Sequence, residues 1–467
     1  MKIQRFATIA LAVSGAISGV AMADDSTLTL YGILDAAVGT AQHSFSVDPE
    51  FPASVVATQI NAVSQTAPKN ANAKGVNGMF NGGIQDSRWG LRGKEDLGDG
   101  LSAIFTLESG INLPTGQLNN ADGALALSNG SSTAAANSSL SGQLFSRQAF
   151  FGLSDKDYGT LTFGRQYQPI YDILTTYDPV QYAQLFSPLG FSGSLGGGIG
   201  VSEDMRSDNT IKYGNKVGAF NFGGQYKLGG IAGHNGARSN YALRLGYEDG
   251  PFGVQAAYER ITDGLTAANN GFSITGVTPA VGAALPITTP NLKVTNQNSI
   301  GYLLAAKYHI ADGNIKAGYS SYTLGKPSDP FASLNITNLY NEPIGASSDL
   351  KADRKTRIYY LGGDYNFMPK FNLAAGYYSV QLDKSADNGQ LDGKQQYFSL
   401  LADYNLSKRT DVYAGAMYQK LSGNNYPGSS ADAANLNAAN KGSLGNAAVA
   451  ADYQSNKILA IGLRHKF

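Results

Sequence analysis

Hydrophobic and polar residues alternate with period two along many short stretches of the chain, as expected of strands with one apolar and one polar face. In "TLTLYGILDAAV", Leu28, Leu30, Leu34, Ala36 and Val38 share one face, and Thr27, Thr29, Tyr31 and Asp35 the other. "LSAIFTLES" sets Leu101, Ala103, Phe105 and Leu107 against Ser102, Thr106 and Glu108. The last segment, "KILAIGLRHKF", carries Leu459, Ile461, Leu463, His465 and Phe467 on one face and Ala460, Gly462, Arg464 and Lys466 on the other. The pattern predicts sixteen strands, over 26–38, 87–95, 101–112, 145–154, 160–169, 209–215, 220–228, 240–248, 253–262, 297–308, 314–325, 356–366, 371–381, 394–405, 411–420 and 456–467.

The links fall into two alternating classes. Seven are tight and polar, among them "DLGDG", "EDGPF" and "LSKRT". Most of the eight between them are long and rich in Gly, Ala, Ser and Asn, including 39–86, 113–144, 170–208, 263–296, 326–355 and 421–455. Short turns on one rim and long loops on the other predict an all-β fold, a 16-stranded antiparallel transmembrane β-barrel with a polar interior and an apolar outer band. In lipid every backbone polar group must be bonded within the protein, so such a sheet has to close. A soluble β-sandwich or β-helix explains the alternation of side chains but not the alternation of links. Tyr247, Tyr308, Tyr365 and Tyr404 stand on the outward faces just ahead of short turns, where an aromatic belt at a lipid boundary is expected.

Composition supports strands over helices. The 467 residues include Gly 57 and Tyr 27 but no cysteine, so stability comes from size or closure rather than disulfides. The start, "MKIQRFATIALAVSGAISGVAMADD", has a basic end, a short apolar run and small residues at Ala21 and Ala23, which predicts a signal peptide over 1–23 and a barrel domain over 24–467. Removing Lys2 and Arg5 from 35 basic groups leaves 33 against 35 acidic ones, a net charge that excludes a basic field for nucleic acid.

Parity assigns the candidate chemistry. In "SRWGLRGKEDLG" Trp89 and Leu91 point outward and Arg88, Arg92 and Lys94 inward; on a lipid face each charge would cost roughly 2–4 kcal/mol at mid-depth. Lys212, Lys227, Arg244, Lys307 and Lys316 also fall inward, with Glu108, Glu259 and Asp403. The connection 170–208 differs from the other long links in combining tyrosine, phenylalanine, leucine and proline, so it is expected to fold into the barrel and narrow the lumen. Its Asp172, Asp178, Glu203 and Asp204 would then face the wall cations and set a transverse field. Four scattered histidines, no paired metal-ligand spacing and no nucleophile motif give no reason to expect an enzyme, a metal or a cofactor.

"TLYGILDAAV", "SRWGLRGKEDLG", "LSAIFTLESG", "SRQAFFGLSDKDYGTLTFGRQY" and the final "GLRHKF" together resemble the Gram-negative general porins, in the branch common in Burkholderia, Bordetella and Neisseria relatives. The resemblance spans essentially the whole mature chain. It implies a homotrimer in the outer membrane, among lipid and lipopolysaccharide, with one pore per subunit. Each pore would be narrowed by the third long loop and crossed passively by ions and small hydrophilic solutes. It also implies that Arg88 and Arg165 face the narrowest section, and that Phe467 is the terminal aromatic read by the outer-membrane assembly machinery. Simple alternation from Leu161 and Phe163 would instead turn Arg165 outward, so either a bulge shifts the register before the loop or the residue faces something other than lipid. Enterobacterial relatives carry a lysine and an arginine where this chain has Ile33 and Gly214, and their acid-rich loop motif is replaced by "SPLGFSGSLGGG". Arg92, Lys94 and Lys212 are the expected substitutes, with a lean toward anion preference. A substrate-specific channel and a plugged, adhesin-like barrel stay open as alternatives.

Overall fold

The computed structural model describes residues 26–45, 76–119, 143–189, 206–230, 236, 239–262, 265–269, 292–296, 298–325, 338–339, 342–343, 354–383, 393–423 and 454–467. The expected signal peptide and the loop acids Glu203 and Asp204 lie outside them.

Sixteen strands form one closed antiparallel sheet. They are β1 (Thr27–Phe45), β2 (Arg88–Gly98), β3 (Leu101–Asn112), β4 (Gln148–Asp155), β5 (Gly159–Tyr167), β6 (Arg206–Val217), β7 (Phe220–Lys227), β8 (Asn240–Asp249), β9 (Phe252–Ile261), β10 (Asn298–Ile310), β11 (Gly313–Gly325), β12 (Arg354–Met368), β13 (Phe371–Leu382), β14 (Gly393–Asn405), β15 (Thr410–Gly423) and β16 (Gln454–Lys466). Each pairs with its sequence neighbours, and β16 closes on β1 from Ile33↔Lys466 to Phe45↔Gln454, leaving no free edge. Among the described residues no helix is long and apolar enough to cross a membrane.

The sixteen expected strands are present in order. Their outward residues stay exposed in the isolated chain, as Leu28 at 70%, Leu243 at 56% and Ile461 at 66% illustrate. An apolar band of this extent belongs in lipid or against another protein. The closing seam ends on Phe467, whose N–H and C=O exchange bonds of 3.0 and 3.1 Å with Gly32. Its ring lies over that glycine, and a Cβ at position 32 would come within 2.3 Å of the Phe467 Cζ.

Two segments depart from the expectation. The first link is shorter than 39–86 because β1 runs on to Phe45 and a further strand, Val76–Asn81, pairs with its upper half from Ala36↔Asn81 to Ala41↔Val76. Residues 82–87 then leave the sheet on its inner side, where Ile84 is buried, before β2 takes over alongside lower β1. Second, the inward loop begins with a helix, α1 (Pro169–Tyr177). Pro169 opens it with a preset φ and Asp172 sits in its first turn, both favourable at a helix start. Ile170, Ile173, Leu174 and Tyr177 recur at i, i+3, i+4 and i+7 and form its buried face.

The core therefore lies between this loop and the inner wall rather than inside a two-layer domain. The α1 face continues into Val180, Ala183, Phe186 and Leu189, all buried. They share one cluster with inward Leu303, Tyr322, Tyr360, Tyr378, Tyr397 and Tyr413. Burying a leucine, isoleucine or phenylalanine is worth roughly 1.5–3 kcal/mol each, which suffices to hold the loop inside.

Candidate functional site

The apolar face of the loop packs against the wall built by the later strands, and its aromatic side meets the wall of β1 to β6, where the arginines stand. Glu108 on β3 is buried and organises that wall. It meets Arg147 Nε at 2.8 Å and Arg88 Nε at 3.6 Å, and accepts a 2.9 Å bond from the Tyr31 hydroxyl. Arg147, just ahead of β4, also reaches Asp86 at 3.0 Å and donates to the Tyr167 hydroxyl at 2.6 Å. Arg206 donates to the same hydroxyl at 3.2 Å, with its guanidinium 4.8 Å from the Tyr167 ring centroid. Tyr167 in turn stacks on Tyr171 of α1, centroids 3.9 Å apart, and Tyr171 meets Tyr182 edge-on at 5.3 Å. Loop and wall thus touch through aromatic rings backed by guanidinium groups.

Arg165 does not gain the inner face that the family resemblance implied: it pairs in unbroken register with Ala149, on the same face as Phe151 and Phe163. The β5–β6 register shifts between Gly164 and Gln166, and Gly164 takes φ +127. The extra residue is in β6, where Asp208 and Asn209 together oppose Arg165 and Asn209 takes φ +52, so the parity of β5 is unchanged; Arg165 is nonetheless buried, donating to Ser146 O and pairing with Asp208. Only glycine fits at position 164, because a Cβ there would lie 2.2 Å from Ala149 O.

The other expected residues divide by depth. Arg92 is exposed, with its guanidinium 3.8 Å from the Tyr31 ring centroid. Lys94 is exposed too, but it pairs in register with Thr27, the first residue of β1. It stands at the short-turn rim and not at the narrow section. Lys212 Nζ binds Asp172 Oδ2 at 2.7 Å and Tyr167 O at 2.8 Å, and Arg244 Nη1 approaches Asp172 at 3.6 Å. Arg244 also fills the space above Gly214, its Nη2 3.6 Å from where a Cβ would sit.

Asp178 departs from the expected transverse field. It is fully buried on the wall side of the loop, accepting from the Tyr378 hydroxyl and the Tyr182 N–H, while Lys316 Nζ binds its carbonyl at 3.1 Å. Burial pushes its carboxyl up to about 6. Parity does not single out Arg147, Arg206, Tyr167 and Asp86, because they lie at or beyond strand ends where alternation gives no direction. The available signal is the place of Arg147 and Tyr167 at the two ends of the family-like stretch "SRQAFFGLSDKDYGTLTFGRQY". Among the described residues no three His, Asp or Glu side chains converge as a metal site would require.

Known proteins share this architecture. The anion-selective porin from Comamonas acidovorans superposes with a TM-score of 0.58 at 20% identity, over 95% of this chain and all of that one. OmpT, an outer membrane protein of Vibrio cholerae, gives 0.53 at 16% identity over 96% of this chain and all of that one. In sequence, an outer membrane porin protein of Bordetella pertussis is 28% identical over 432 residues, 88% of this chain and 93% of the relative. Outer membrane porin protein 32 of Delftia acidovorans is 26% identical over 462 residues, 98% and 99% of the two chains. The sequence profile of the Gram-negative porins matches residues 7–383 and 331–425, most of the chain, and with the closed barrel and its inward loop this shows that the chain belongs to the Gram-negative porin family.

Proposed function

We propose that the protein is a passive diffusion channel of the outer membrane with a preference for small anions. The observation that carries this reading is the imbalance at the constriction. Arg88, Arg92, Arg147 and Arg206 stand with Asp86 and Glu108, whereas Asp172 is already held by Lys212 and Arg244, and Asp178 is turned into the wall. A net positive eyelet of low local dielectric raises the concentration of anions there. The similarity to an anion-selective porin points the same way. No chemical step is needed.

Planar-bilayer recording in asymmetric KCl tests both halves of this reading. An open channel whose reversal potential follows chloride supports it, and Arg88→Glu is expected to move that potential toward the potassium value. A reversal potential that follows potassium in the unmodified protein overturns the anion preference, and absence of conductance overturns the pore. Saturation of flux by one solute would favour the substrate-specific alternative.

The outer surface supports a homotrimer. Tyrosines and phenylalanines edge the band on β6 to β14, as with exposed Tyr213, Tyr247, Tyr308, Tyr365 and Tyr404. Among the described residues the outward faces of β16 and β1 to β5 carry no tyrosine; Tyr31 and Tyr167 point inward. That face shows Leu30, Val38, Phe151, Phe163 and Leu463 instead, which suits protein contact better than a lipid boundary. On the remaining outward face, exposed Arg260, Lys355 and Lys394 stand at the long-loop ends of their strands. No acidic residue shares that face on those strands, so phosphate groups of lipopolysaccharide are the fitting neighbours. Phe467 is proposed as the residue by which the assembly machinery recognises the chain.

A further inference from the structure

Asp35 is an inward residue of β1, completely buried, and among the described residues it faces no cation within bonding distance. Its carboxylate is nonetheless fully engaged. Oδ1 accepts from the Gly83 N–H at 3.0 Å and from the Tyr413 hydroxyl, and Oδ2 accepts from Ile84 N–H at 3.1 Å and Gln85 N–H at 2.8 Å. Three successive backbone N–H groups thus wrap one carboxylate, a concave anion nest. Ser87 closes the arrangement, its hydroxyl accepting from Asp35 N–H at 3.0 Å and donating to Asp35 O at 2.9 Å. Glycine is required beside it, since a Cβ on Gly83 would come within 2.2 Å of the Tyr413 hydroxyl and Gly82 has φ +79.

The segment pinned in this way is the ledge on which the far end of the inner loop rests. Gly83 O accepts from Leu185 N–H at 3.0 Å and Ile84 O from Gln184 N–H at 3.1 Å. Phe186 lies edge-on to Tyr413 with centroids 6.4 Å apart, over Gly415, where a Cβ would approach its ring within 2.6 Å. One tyrosine therefore touches both the carboxylate and the loop.

We propose that Asp35 is a positioning residue for the constriction: by fixing residues 83–85 it sets the height of the ledge that holds 184–186, and so the aperture between α1 and the arginine wall. The inference rests on the pore reading above. Without the carboxylate, three buried N–H groups lose their acceptor and the ledge loosens, while the strand pairing of β1 is untouched.

The test is single-channel recording of Asp35→Ala and Tyr413→Phe beside the unmodified protein, with far-ultraviolet circular dichroism and heat-dependent gel mobility on the same samples. With β-content and mobility retained, Asp35→Ala is expected to raise unit conductance by about 1.5-fold or more and to add open-channel noise, because the aperture sets the resistance. Tyr413→Phe, which removes one bond, should add noise with a smaller rise. A folded Asp35→Ala channel with unchanged conductance, noise and reversal potential overturns the inference. So does an Asp35→Ala chain that fails to assemble while Tyr413→Phe conducts as the unmodified protein does, since Asp35 would then serve folding alone. Absence of current from the unmodified protein would instead overturn the pore reading.

Discussion

Gly164 sets the backbone path that leads into Arg165. Its φ of +127, and the Ala149 carbonyl oxygen only 2.2 Å from where a Cβ would sit, leave no room for a side chain. Gly164→Val should cost a few kcal/mol, about 1–3 from the backbone conformation alone, and pull Arg165 away from Ser146 O and Asp208. A lowered temperature for the heat-induced gel shift, with chloride preference retained in the channels that do form, is the expected outcome. Asp178 gives a pH prediction whose sign follows from its burial. Its carboxyl is raised to about 6 from an ordinary 3.8, so the packed loop is most stable with the group protonated and loses that contribution as pH rises through 6. Open-channel noise should therefore increase between pH 4 and about 7, and Asp178→Asn should flatten this dependence. A profile unchanged by Asp178→Asn would contradict the assignment.

At the scale of elements, the closing seam depends on one glycine. Gly32→Val places methyl groups where the Phe467 ring lies, and should slow assembly much as deletion of Phe467 does. In either variant, barrels that do insert are expected to conduct normally, since neither residue faces the lumen; a folding time course with parallel conductance separates the two effects. The strands were legible because each carries its own period of two, and closure follows from lipid. The helix α1 was also legible in principle, with Ile170, Ile173, Leu174 and Tyr177 spaced for one face, but nine residues inside a region rich in turn formers read as loop. The Asp35 nest was not legible. Its partners lie 48 to 50 and 378 residues away, and no local pattern connects a strand aspartate to a distant "NGG". Arg147 and Arg206 were hidden for a related reason, since parity stops at a strand end.

On the scale of the whole molecule, the barrel is an outer shell that needs lipid and an inner loop that supplies what core there is. Alternation fixes the shell, while the loop is held by an apolar face, the buried Asp178 and the Asp35 ledge. Their common product is an aperture bounded by α1 on one side and arginines on the other. Electrostatic selectivity then depends on which acids remain free to face the lumen, and this is why the turn of Asp178 into the wall matters more than the number of acids in the loop.

In the proposed channel, permeating solute passes the exposed side of α1. Thr176 is exposed there, and the chain has no cysteine to interfere. Thr176→Cys followed by a bulky negatively charged methanethiosulfonate reagent should cut single-channel current and reduce chloride preference, with the unmodified protein unaffected. Complete labelling of Thr176→Cys, verified by mass, with conductance and reversal potential both unchanged, would contradict the account.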